Sequence, residues 1–192
     1  MKIYFHHNVS DGSNSYIVLN KKTKEAIIVD PCKITKKMIE HIEQDNYTLS
    51  AVLITHNRPN TLEGISTLRT IYNPKIYSAD SYLTGKDAQV LQGDGLIKTA
   101  SFNISYFAVA GHSPDSMAFK IEKNIFSGDA LLAGVIGKTT NPYARKLLST
   151  NLQTKILLHS DDTVIYPCHG PLTTIGSEKQ FNLEFGCSVG QK

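Results

Sequence analysis

The chain reads as an α/β fold in which two sheets are sandwiched between helices, and three observations predict it. Short runs rich in β-branched and aromatic residues come first. A strand–helix–strand–helix rhythm follows. A second group of strands then precedes one long helical pattern. The 192 residues are long enough to bury a sizeable core and read as one domain over 1–192.

The elements follow in order. Runs at 2–5, 16–19 and 26–29 predict strands, and the polar stretch 20–24 predicts a hairpin between the last two. Ile34, Met38, Ile39 and Ile42 recur at helical spacing within 34–45. The apolar run 49–54 is a buried strand. Asn60 or Thr61 can cap a helix that carries Leu62, Ile65, Leu68 and Ile71 on one face. Residues 75–78 form a further strand. In the second half, 102–109, 117–121 and 125–127 read as strands divided by Gly, Pro and Asn turns. Asn141-Pro142 starts a helix that runs to about Leu158, with Leu147, Leu148, Leu152 and Ile156 facing the core. Residues 164–166 are a last strand, 177–181 begin a short helix, and the chain beyond Gly186 is expected to be loose.

Composition narrows the function classes. The net charge of +3 is spread along the chain, and no basic run or basic–aromatic stripe offers a nucleic-acid groove. The longest apolar stretches are strand-length, too short to span a membrane. The N-terminus MKIYFHHNVS lacks the apolar core of a signal peptide. Cys32, Cys168 and Cys187 are an odd set at long spacings, which reads as reduced thiols in a cytoplasmic protein. Neither nucleic acid nor membrane is expected as a partner, and the oligomeric state is not legible.

Four residues stand out at strand-to-loop junctions, the last three beside Gly: His56, His112, Asp129 and His169. Core packing does not require that pattern. Imidazole and carboxylate are the ligands that zinc and ferrous iron use. Strand ends gathered at one edge are a usual place for a site in α/β folds.

The motifs around these residues resemble the metallo-β-lactamase-fold superfamily, in its glyoxalase II-like branch of hydrolases. VDPC at 29–32 resembles that family's V-D-P-G, and GHSPDSMAF its G-H-T-P-G-S segment. FSGDALLAGVIGKTT resembles F-S-G-D-T-L-F-x-G-x-I-G-R-x-D. YPCHGPLTTIGSEKQFN resembles Y-P-G-H-G-P-x-T-T-I-G-x-E-K. The resemblance covers nearly the whole chain. It implies a four-layer αββα sandwich holding one or two metals, usually zinc, sometimes iron or manganese. Members activate a water to hydrolyse thioesters, β-lactams and phosphoesters, and some do sulfur or redox chemistry.

The stretch THNRPNTLEG departs from the family's T-H-x-H-x-D-H motif. His56 falls on its first His, Arg58 on its second, Asn60 on its Asp and Thr61 on its last His. His112, Asp129 and His169 match the remaining ligands. By this carry-over the first metal site keeps His56, His112 and Asp129, and the second keeps only Asp129 and His169. A tight site needs more than two ligands. At most one ion, zinc or iron, is therefore expected, or none. Asn60 replaces the carboxylate that handles the attacking water's proton in the family and cannot take a proton near neutral pH.

Arg58 leaves two outcomes open. Pointing inward, its permanent cation would disfavour a metal or replace it by pairing with Asp129. Pointing outward, it would leave the first site intact. Cys168 beside His169 is either a packing residue or a thiol that His169 activates, and Cys32 falls near the same rim. Lys138 is either a solvated loop lysine or a group that holds the anionic tail of a small-molecule substrate or ligand, and Tyr143 either lines the same rim or packs against the helix it begins. Asp30 is expected to pin loops by accepting backbone N–H bonds. Two functions follow: a degenerate family member that binds a ligand without the usual hydrolysis, or a one-metal hydrolase of thioesters or related esters using His56, His112 and Asp129.

Overall fold

The computed structural model describes residues 1–58, 61–84 and 88–186. The first sheet begins with three antiparallel strands: β1 (Lys2–Asn8), β2 (Ser13–Asn20) and β3 (Glu25–Val29). Helix α1 (Lys36–Glu43) then crosses to β4 (Thr48–Leu53), which runs parallel to β3. Helix α2 (Thr61–Ile71) crosses to β5 (Lys75–Ser78), and the short α3 (Ser81–Thr84) leads to β6 (Ala88–Val90), both strands parallel. The order is β1-β2-β3-β4-β5-β6.

The second sheet carries β7 (Gly95–Thr99), β8 (Phe102–Ala108), β9 (Met117–Ile121) and β10 (Asn124–Gly128). A two-stranded ribbon follows, β11 (Leu131–Leu132) with β12 (Val135–Ile136). Helix α4 (Pro142–Asn151) leads to β13 (Val164–Pro167), parallel to β10, and then to β14 (Thr173–Thr174) and α5 (Ile175–Phe181). The order is β14-β13-β10-β9-β8-β7.

Alternation of side chains builds the four layers. Tyr16, Val18, Ile27, Val29, Ala51 and Leu53 face Ile104, Met117, Phe119 and Phe126 between the sheets. Their neighbours Ile17, Leu19, Ile28, Val52 and Ile54 point the other way, onto Met38 and Ile42 of α1 and Ile65 and Leu68 of α2. Ala118, Ile125 and Ile165 likewise pack under Leu148 and Leu152. The central strands are apolar on both faces, which is why they read as unbroken apolar runs. Phe119 and Phe126 are fully buried between the sheets, and truncating either to Ala would cost about 3–5 kcal/mol. The fold is thus the αββα sandwich expected.

Several local expectations are corrected. Leu147 and Ile71 were placed on core faces but are 36% and 44% exposed. The α-helix starting at Pro142, expected to continue to about Leu158, gives way at Leu152 to a π-helical turn, Leu152–Ile156. That wider turn still lets Leu148, Leu152 and Ile156 all reach the core. Helix α5 starts at Ile175, capped by the Thr174 hydroxyl, two residues before the expected start. Strands β6, β7 and β14 were not foreseen. Asn60, Cys187 and the tail beyond Gly186 lie outside the described residues. Among the described residues no helix is long and apolar enough to cross a membrane.

Candidate metal centre

The parallel strands all end at one edge, and the candidate residues follow those ends. Asp30 follows β3, His56 follows β4, Asp129 follows β10 and His169 follows β13. His112 lies in the loop from β8 to β9. Backbone bonds clamp the edge: Met117 N–H donates to Thr55 O at 2.7 Å, and Cys168 N–H to Gly128 O at 2.8 Å. Gly128 is obligatory, because its φ is +57° and a Cβ there would collide with Thr55 Oγ1.

The Asp129 carboxylate is the hub. Its Oδ2 lies 3.4 Å from His56 Nε2 and 4.0 Å from His112 Nε2. Its Oδ1 accepts from His169 Nδ1–H at 2.7 Å. Burial pushes this carboxyl up, but the imidazoles of His56 and His169 beside it outweigh burial and hold Asp129 well below the usual carboxylate range. His56 is buried and its ring meets that of His112 edge-on at 5.2 Å.

Partners behind the rings fix the tautomers. A carbonyl can only accept, so His112 Nδ1 donates its proton to Lys138 O at 2.9 Å. Asp30 accepts from Thr55 N–H and from Thr55 Oγ1–H, each at 2.8 Å. The Thr55 oxygen is then free to accept from His56 Nδ1–H at 3.0 Å. With each Nδ1–H engaged behind the ring, Nε2 is the nitrogen that both rings turn toward Asp129 Oδ2. Two imidazole nitrogens and a carboxylate oxygen facing one another suit a cation, and the bonds to Lys138 O and Thr55 Oγ1 behind the rings are of the kind that orient metal-ligating imidazoles. The ligand atoms of His56, His112 and Asp129 all lie within 4.8 Å of one another. Two imidazoles and one carboxylate suit zinc or ferrous iron, so the residues present fit a single divalent ion.

A second group, Asp129, Cys168 and His169, meets the same distance limit. It is a poorer donor set. Cys168 is fully buried and its thiol sits 3.6 Å from Asn14 O. Burial pushes that thiol well up, and Arg58 only partly offsets it. The nucleophile entertained at Cys168 therefore has neither exposure nor thiolate character.

Arg58 points inward, but not at Asp129. Its Nη2 donates to Cys32 Sγ at 2.8 Å, and its backbone N–H to Thr61 Oγ1 at 3.3 Å. The direct Arg58–Asp129 pair anticipated from sequence is absent among the described residues, because Thr61 fixes the backbone and the fork ends on the Cys32 wall. Burial opposes the guanidinium charge, yet the acidic groups around it (the two thiols, Asp30 and Asp129) outweigh burial and raise its pKa. Arg58 Nε is buried with no hydrogen-bond partner.

A cavity of about 340 Å³ opens over the hub, lined by His112, Asp129, Leu132, Gly137, Lys138 and His169. Lys138 thus reaches the rim, and its carbonyl, which the sequence reading did not single out, orients His112. Tyr143 is 77% exposed at the start of α4 and is not part of this lining. Two further residues escaped the sequence reading. Asn14 donates to Pro167 O and Gly170 O, holding the His169 loop. Glu178 is buried and accepts from Gly134 N–H, holding the loop that bears Lys138. Nothing local marks either one, since both act across more than forty residues of chain.

An αββα sandwich with an imidazole–carboxylate hub at its strand ends is an architecture that metal-dependent hydrolases use, and comparison shows which proteins the chain is similar to. No protein-family profile matches. A hydroxyacylglutathione hydrolase (GloC) of Haemophilus influenzae is 29% identical over 183 residues, covering 83% of this chain and 86% of its own length. The BLEG-1 B3 metallo-β-lactamase superposes with a TM-score of 0.85 at 27% identity, covering 95% of this chain and 98% of that one. A di-iron-bound form of the protein TTHA1623 superposes with a TM-score of 0.78 at 22% identity, over 94% of this chain and 98% of that one. The chain thus has the metallo-β-lactamase fold, and its similarity is to the glyoxalase II-like branch of that fold.

Proposed function

We propose that this protein holds one divalent ion, zinc or ferrous iron, through His56, His112 and Asp129, and hydrolyses a thioester or related ester of an anionic small molecule. The observation that carries the reading is the pair of Nε2 nitrogens turned on Asp129 Oδ2. Once bound, the ion would supply Lewis acidity toward the acyl carbonyl and water. The chain's own residues do the rest. Lys138 at the rim meets the anionic group of the substrate. His169 donates through Nδ1 to Asp129, which leaves Nε2 as the nitrogen able to take a proton. The thioester class is supported by the likeness to a hydroxyacylglutathione hydrolase.

One observation favours a second reading, a ligand-binding protein without hydrolysis. Arg58 places a permanent cation beside the centre where the family motif has a neutral ligand. Elemental analysis of protein purified without chelator separates the two. About one zinc or iron per chain, lost in Asp129→Asn, together with thioesterase turnover, supports the hydrolase. Metal far below one per chain that added zinc or iron does not restore would sink it.

A further inference from the structure

A second cavity, of about 330 Å³, lies on the α1 side of the first sheet near the same strand-end edge. Its wall includes His6, His7, Asn8, Lys33, Thr35 and Lys37, and among the described residues no Asp or Glu lines it. Lys33 and Lys37 form no ion pair among the described residues, whereas the neighbouring Lys36 is spent on Glu40 at 3.6 Å. The cavity also borders the first turn of α1, the positive end of that helix dipole.

One group in the wall is a donor without an acceptor. Asn8 Oδ1 accepts from Ser10 N–H at 3.3 Å and Ser10 Oγ at 2.8 Å, which fixes the amide orientation. Asn8 Nδ2 is left buried with no partner. His7 Nδ1 lies 3.2 Å from Asn14 Oδ1, and Asn14 Nδ2 is already a donor, so the ring donates there. The wall thus gathers two ammonium groups with no ion pair and the Thr35 hydroxyl around a space with no anion of its own among the described residues.

We propose that this cavity is an anion site for inorganic phosphate or a small phosphate ester, separate from the metal centre. Lysines recognise phosphate as point charges, and the Thr35 hydroxyl adds a directed donor. The site does not depend on the metal reading, because none of its lining residues belongs to the His56–His112–Asp129 set.

The test is a phosphate titration of the full chain, followed by the ring signals of His6 and His7 in NMR. A saturable shift is expected, and Lys33→Ala/Lys37→Ala should weaken it about tenfold or more. Lys21→Ala/Lys22→Ala, on the far-edge turn, should leave it unchanged, and so should Asp129→Asn. A shift that does not saturate, or that both lysine pairs weaken equally, would reduce the effect to general screening and overturn the site. Loss of the shift in Asp129→Asn alone would assign the anion to the metal centre and overturn it too.

Discussion

Arg58 Nη2 lies 2.8 Å from Cys32 Sγ, so the cation that replaces a family ligand is stored against a thiol and does not neutralise Asp129. Burial pushes the Cys32 thiol up, with Arg58 only partly offsetting it, so the partner stays a neutral acceptor. No carboxylate pairs directly with the guanidinium among the described residues, so its positive charge stays close to the centre. Arg58→Met keeps the stem and removes the charge. Its apparent zinc affinity, measured against a competing chelator, should rise about tenfold or more. An unchanged affinity would show that the charge is screened from the centre.

Thr55 joins Asp30 to His56 and holds the latter's Nε2 toward Asp129. Thr55→Val keeps the shape but leaves a buried carboxylate oxygen and an imidazole N–H without their partner. Urea unfolding should show a loss of about 1–3 kcal/mol. Zinc affinity should fall as well, because His56 is free to change tautomer. Full stability with weakened metal binding would assign the relay to orientation alone.

Much of this was legible in the sequence because strand-end ligands are local signals. His56, His112, Asp129 and His169 each sit at a strand-to-loop junction, the last three beside Gly, and the structure brings the three histidines to the Asp129 carboxylate. The central strands were legible as apolar runs. What was not legible depends on distant pairing. The direction of Arg58 is set by Cys32, twenty-six residues earlier in the chain. Leu147 fits helical periodicity, yet the helix is rotated so that Leu148 faces the core. Strand β7 is half exposed and follows no strict alternation, and it exists because β8 pairs with it.

His6 makes stability pH-dependent. Burial, then the charges of His41 and Lys37, push its ring down to about 4. The unfolded chain takes up that proton near 6.5, so stability present above that pH falls as pH drops through it and levels off below about 4. The ring is half exposed, so the loss is about 1 kcal/mol and well short of the full linkage value. Melting curves from pH 7.5 to 4, in chelator and without phosphate, should show the decline. His6→Asn should flatten it, and an equal slope in the variant would place the effect on other groups.

Gly128 allows the close approach of β10 to Thr55. An alanine there would need a left-handed φ and would overlap the Thr55 side chain. Gly128→Ala should cost at least about 2 kcal/mol in urea unfolding. Since Thr55 would have to move, metal affinity should fall with it. A variant as stable as the parent would mean that the edge is softer than its hydrogen bonds imply.

Glu178 ties α5 to the loop that carries Lys138. Its carboxylate accepts from Thr173 Oγ1 at 2.6 Å, from Gly134 N–H at 3.1 Å to each oxygen, and from Asn182 Nδ2 at 2.5 Å. A carboxylate offers two accepting oxygens, and a carboxamide only one. Glu178→Gln must therefore leave a donor unmatched in a site that is 2% exposed. The loss should be about 1–3 kcal/mol in urea unfolding. Leu183 N–H donates to Gly134 O at 2.9 Å, so a second tie keeps the loop attached when the first is weakened. The loop should therefore loosen without detaching, and hydrogen exchange should quicken at Gly134 while the β10 amides stay protected. If the β10 amides exchange faster as well, Glu178 supports the sheet itself and not the rim of the cavity.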